Sequence, residues 1–150
     1  MLSAVADRAR ASGVFGETTL RADRLECLAV GSSAPASYGL EVEGDRLWVT
    51  LRTADRWLSQ SIEADLVHTG DDLSDLIDEE LSDLGIRGTR ASFEHFRSGE
   101  KLFTFRSPVP IPATDWGTPA AAEQSLKWLL AYEQCFRGLG DMEADEANEL

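Results

Sequence analysis

Only two side chains in this 150-residue chain, His68 and His95, can exchange a proton near neutral pH without a shifted pKa. His68 stands in Val67-His68-Thr69-Gly70, at a predicted strand end, where it could orient the Thr69 hydroxyl. His95 stands in Phe93-Glu94-His95-Phe96, on a predicted hairpin strand. Neither lies in a nucleophile elbow, a zinc-ligand spacing or an HxxxH pair, so each reads as a surface or structural histidine. A Ser/His/Asp set assembled in space would leave no local signature. Glycine-rich phosphate cradles of the GxGxxG and GxxxxGK[ST] kinds are absent. Asp71, Asp72, Asp75, Asp78 and Glu79 suggest a divalent-cation loop at first sight. Such a loop needs a central glycine and a bidentate glutamate on non-helical backbone, whereas here leucines at helical spacing interrupt the acids. They read as a solvated helix face. No catalytic residue, metal or cofactor is therefore expected.

Aromatic residues offer a second kind of chemistry, recognition. Trp48 and Trp57 lie on or beside predicted strands, Trp116 precedes the last helix and Trp128 lies inside it. Trp48 shares a strand face with Thr50 and Arg52, opposite Leu47, Val49 and Leu51, so it covers the second face of a sheet or binds a ligand there. Cys27 and Cys135 are isolated thiols without metal or redox spacing. They read as small, reduced apolar residues of a cytoplasmic protein.

Charge bounds the partners. The chain has 27 acids against 14 bases, a formal charge of -13. A field of that sign repels phosphate backbones and anionic lipid surfaces, so neither nucleic acid nor a membrane is expected as a partner. The excess of acid admits a basic protein partner, adaptation to high salt, or simply a solvated surface drawn from an arginine-rich, GC-biased composition. No apolar run approaches the ~18–20 residues that span a bilayer. The first eight residues lack the basic-then-apolar order of a signal peptide.

The elements that must position these residues follow from periodicity. Leu2 to Ala11 suits a short helix closed by Ser12-Gly13. Thr18 to Val30 fits neither period cleanly, although Leu25 to Val30 suits a short strand. Tyr38, Leu40 and Val42, then Leu47, Val49 and Leu51, alternate around Glu43-Gly44-Asp45-Arg46 and predict a hairpin. Trp57 to Val67 admits a helix or a third strand, and the strand is preferred because the helix after it has its own clear start. Asp71-Asp72 and Leu73, Leu76, Ile77, Leu81 and Leu84 predict a helix stopped by Gly85. Ile86 to Phe96 and Lys101 to Arg106 flank a second hairpin turn. Pro108, Pro110 and Pro112 then predict an extended connector, since proline lacks the donor a central strand needs. Thr118 and Pro119 open a last helix to about Arg137. That helix has two apolar stripes, one of Leu126, Leu129, Leu130 and Phe136, the other of Trp128, Tyr132, Cys135 and Leu139. A buried central helix and a homodimer interface account for the second stripe equally well.

Residues 1–140 thus read as one α+β domain, two-layered, with an antiparallel sheet and the order α-β-β-β-α-β-β-α; 141–150 read as an acidic, flexible tail. That order, with the size and acidity, resembles the type III secretion chaperone-like fold, including the YbjN-like bacterial proteins that share it without serving secretion. The likeness spans roughly Met1 to Gly140. It is most specific from Thr69 to Gly85, through the hairpin Ile86 to Arg106 and the prolines, to the helix from Thr118. The resemblance implies a module that binds a protein or peptide segment, often as a homodimer, through exposed apolar sheet or helix surface. Trp48, Thr50 and Trp57 are then the candidates for the partner, and Trp128, Tyr132 and Cys135 for self-association. A non-enzymatic chaperone- or adaptor-like role is expected. The alternative is a small enzyme or small-molecule binder with a site around His68 or His95.

Overall fold

The structure, a computed structural model, describes residues 1–32, 34–69, 72–98 and 102–139, the side chains of 67–69 excepted. It is an α+β fold of two layers: a six-stranded antiparallel sheet and, on one of its faces, four helices. The chain runs α1 (Leu2–Ser12), β1 (Thr18–Leu20), β2 (Arg24–Leu28), β3 (Ala36–Glu43), β4 (Arg46–Thr53), α2 (Arg56–Thr69), α3 (Leu73–Asp83), β5 (Glu94–Arg97), β6 (Phe103–Val109) and α4 (Pro119–Arg137). Strand order across the sheet is β1-β2-β3-β4-β6-β5.

The β3–β4 hairpin forms as its alternation predicts, with Glu43 opposite Arg46 and Gly44 taking the positive φ of 65° that the turn requires. The ambiguous stretch after α1 becomes a further hairpin, β1–β2, closed by the Arg21 amide on the Arg24 carbonyl at 2.8 Å. Leu25 and Cys27 point from β2 into the core.

Two expectations are corrected. The segment read as a third strand is helix α2. Leu58 and Ile62 are both buried, four residues apart, and Leu66 follows at the same interval, so one helical stripe meets the core. Asp55 supplies the start, its Oδ1 accepting from the Leu58 amide at 2.8 Å. The order is therefore α-β-β-β-β-α-α-β-β-α. Second, the proline connector begins later than expected, because β6 continues through Pro108, which stands opposite Trp48. β5 covers only Phe103 to Arg106 of β6, so the Pro108 end of that strand has an open side where a missing donor costs nothing.

The remaining helices behave as their sequences predict. Asp72 caps α3 by accepting from the Ser74 amide at 2.9 Å; Asp71 lies outside the described residues. Thr118 caps α4 through the Ala121 amide at 3.1 Å, with Pro119 in the first turn. Asp78 departs from the solvated acid face assigned to it. Its Oδ1 accepts from the Thr89 hydroxyl at 2.8 Å and the Ala91 amide at 2.9 Å, and so anchors the segment leading to β5.

The core lies between the layers. Leu25, Tyr38, Leu40, Val49, Leu51 and Phe105 project from one sheet face onto Val5, Ile62, Ile77, Leu129 and Phe136 from the four helices. Burial of this apolar surface is the main stabilising term. Trp128, Tyr132 and Cys135 belong to it. Tyr132 shares a 2.6 Å hydrogen bond with Ser107 on β6, while α1 and α3 pack along α4. The second stripe of α4 is thus consumed inside one chain, and these three residues present no surface to a second copy. Among the described residues, no helix is long and apolar enough to cross a membrane.

Candidate functional site

Among the described residues every helix lies on one side, and the other face of the sheet carries the side chains that alternate away from the core. The strand registers arrange them in rows that cross the strands. Leu28, Ser37, Arg52, Thr104 and Phe96 make one row. Glu26, Gly39, Thr50, Arg106 and Glu94 make the next, and Arg24, Glu41, Trp48 and Pro108 the third. Glu43 and Arg46 close the face at the hairpin.

Gly39 and Thr50 are the low point. A Cβ on Gly39 would lie 2.7 Å from the Leu25 carbonyl oxygen and 2.9 Å from Thr50 Oγ1, so only glycine fits this crossing. Over this floor the Arg52 guanidinium pairs diagonally with the Glu41 carboxylate, from the first row to the third. The bridge accounts for the burial of Thr50, 1% exposed on a face without helices.

Trp48 is covered in the same manner. Its indole is 6% exposed yet stands apart from the core cluster. The Arg106 guanidinium lies 3.8 Å from its ring centroid and 5.1 Å from that of Phe96. Glu94 accepts from Arg106 Nε at 2.8 Å and Glu43 from Nη1 at 3.1 Å. Burial works against the Arg106 charge, but the two carboxylates outweigh it and hold its pKa above the ordinary value. The indole Nε1 is buried and has no hydrogen-bond partner among the described residues. At the margins, Leu28 and Phe96 remain exposed apolar side chains.

A second constellation lies on the core side of β5. The His95 ring stacks on Phe105 with centroids 3.8 Å apart. Its Nδ1 meets Glu63 Oε1 at 2.7 Å and its Nε2 meets Ser59 Oγ at 3.2 Å. A carboxylate only accepts, so Nδ1 carries the proton and Nε2 accepts from the Ser59 hydroxyl. Burial lowers the His95 pKa, with Glu63 partly opposing, which favours this neutral tautomer. The polarity is that of a nucleophile-activating relay, but its accessibility is reversed. Ser59, the group that would attack, is 2% exposed, whereas the Glu63 side chain is half exposed. The arrangement ties α2 to β5.

The alternation places Trp48 and Thr50 on the sheet face opposite Leu47, Val49 and Leu51, and the structure has them together there, both covered. Trp57 is not with them: it stands on α2, 76% exposed. His68 falls in α2 instead of at a strand end, and its side chain lies outside the described residues. Arg106, Phe96, Glu43 and Glu94 were not singled out. The glycine inside the β3 alternation was the one local hint of a close crossing. Ser59 and Glu63 share a face only once α2 is known to be a helix. Both thiols are buried, and burial pushes Cys135 up to about 12, Glu80 and Glu79 adding to it. A cleft of about 390 Å³ lies between Thr89–Ser92 and Pro108–Pro110, with Trp128 among its lining residues; His95 is not one of them. Among the described residues, no cluster of three or more histidine, cysteine or acidic side chains is placed to hold a metal ion.

Comparisons with known proteins add little to this geometry. No family model matches the chain, and no curated protein matches it. Among solved structures, it is similar to an uncharacterized protein from Methanothermobacter thermautotrophicus, at 11% identity and a TM-score of 0.37, over 90% of this chain and 91% of that one.

Proposed function

We propose that this protein is a non-enzymatic protein-binding module of the chaperone or adaptor kind, and that its working surface is the helix-free face of the sheet. The observation that carries the reading is the Trp48–Arg106–Phe96 stack with its two carboxylates. It is a rigid aromatic and guanidinium platform on an open face, the residue types that dominate binding energy at protein interfaces. The test is a photo-crosslinking residue in place of Leu28 or Phe96, with Glu79 on the exposed face of α3 as control. Crosslinks to a defined protein from the two sheet positions and not from the control are expected. Equal yields from all three positions would sink the proposal.

A second reading, a catalytic site around His95, has the Ser59–His95–Glu63 relay in its favour. A fluorophosphonate that labels Ser59 in the native chain, and not in His95→Ala, would establish it. Burial of the Ser59 hydroxyl predicts no labelling.

A further inference from the structure

The helix-free face differs from the rest of the molecule in charge. Its strand residues include four arginines (24, 46, 52 and 106) and four glutamates (26, 41, 43 and 94), so the face has no net charge. The whole formal charge of -13 therefore falls on the helix layer, the loops and the tail. Two copies approaching through surface outside this face meet an excess of acid on both sides, a repulsion that disfavours contact. Two copies approaching sheet to sheet do not.

Most of these charges are already paired within the chain, Arg24 with Glu26, Arg52 with Glu41 and Arg106 with Glu43 and Glu94, so the face is neutralised locally as well as in sum. Each of the first three rows carries an arginine: Arg52, Arg106 and Arg24. The second and third rows carry glutamates beside them, Glu26, Glu94 and Glu41, and Glu43 and Arg46 face each other at the hairpin end. A face neutralised in this way can meet its own copy without net repulsion, as an isologous interface requires. Its size is also sufficient. Six strands spaced about 4.8 Å apart make the face about 24 Å wide, and eight-residue strands make it about 25 Å long, which gives roughly 600 Å². That approaches the ~800 Å² per partner of a standard stable interface.

We propose that the occupant of this face is a second copy of the chain, packed sheet to sheet about a two-fold axis. This rests on reading the face as a protein-binding surface, and it moves self-association from α4 to the sheet. Leu28 and Phe96 sit at opposite ends of one row and supply the apolar contact at the margins of the dimer.

The experiment is sedimentation velocity on the full chain across a concentration series, with two charge-matched variants. Arg46→Glu replaces a positive by a negative charge on the face, a change of two units; Arg56→Glu makes the same change on exposed α2. Circular dichroism checks that both fold. A dimer is expected, with its dissociation constant raised about tenfold or more by Arg46→Glu and unchanged within about twofold by Arg56→Glu. A monomer at all concentrations, or equal effects of the two variants, overturns the proposal. Failure here is distinguishable from failure of the protein-binding reading. A monomer whose positions 28 and 96 crosslink to a different protein retains that reading and loses the second copy. A monomer with no crosslinks loses both.

Discussion

The Arg106 guanidinium lies 3.8 Å from the centroid of the Trp48 ring, so a charged side chain forms the roof of an indole on the open face of the sheet. Trp48 extends from β4 and Arg106 from β6, on rows adjacent in the ladder, and neither is held by a helix. Glu43 and Glu94 approach from the neighbouring strands β3 and β5 and fix the guanidinium plane. Four strands thus converge on one cation.

Arg106→Ala removes that roof. Loss of the cation–π contact and of the packed aliphatic stem should cost about 1–2 kcal/mol in urea unfolding. The emission of Trp48 should shift to the red as water reaches the ring. Arg106→Lys keeps the charge but not the planar stack or the paired hydrogen bonds, and should recover only part of the loss.

Gly39→Ala tests the crossing of β2, β3 and β4. The added methyl meets the Leu25 carbonyl at 2.7 Å, and that atom is backbone and cannot rotate away. A destabilisation of about 1–3 kcal/mol is expected from chemical denaturation. An unchanged midpoint would mean that the strands have slack there.

Tyr132→Phe tests the polar tie through the core. The Ser107 hydroxyl, fully buried, loses its 2.6 Å partner and should cost about 1–3 kcal/mol. Adding Ser107→Ala removes the orphaned group, so the double variant should be more stable than the sum of the single losses predicts. Strict additivity would show that the two hydroxyls do not interact.

His95 predicts a pH dependence with a definite sign. Burial lowers its pKa in the folded chain below the ordinary 6.5, so the unfolded chain binds the proton more tightly. Stability contributed by the neutral ring is complete above pH 6.5 and declines as the pH falls from 6.5 toward the folded value. His95→Phe keeps the stack on Phe105 and should flatten that part of the profile, read as thermal midpoints from pH 7.5 to 5. A slope that persists in His95→Phe belongs to other groups.

The sequence by itself determined which residues face inward wherever one period ran unbroken. Tyr38-Leu40-Val42, Leu47-Val49-Leu51 and the leucines of α3 each obey a single spacing, and burial enforces it because a one-residue slip would turn the set to water. The caps Asp72 and Thr118 were legible for a similar reason: they satisfy amides within three residues of themselves. Leu58, Ile62 and Leu66 were harder, since an interval of four fits one face of a helix and, being even, one face of a strand as well. Only packing against the core decided that they form a helix. Tertiary structure alone decided the candidate site. Trp48, Arg106, Phe96 and Glu43 are far apart in sequence and adjacent only through the β3–β4–β6–β5 ladder. It also decided the fate of Trp128, Tyr132 and Cys135, because a second apolar stripe on a helix does not record whether its cover comes from the same chain. Here α1, α3 and the sheet provide that cover, and the open surface lies on the opposite face of the sheet.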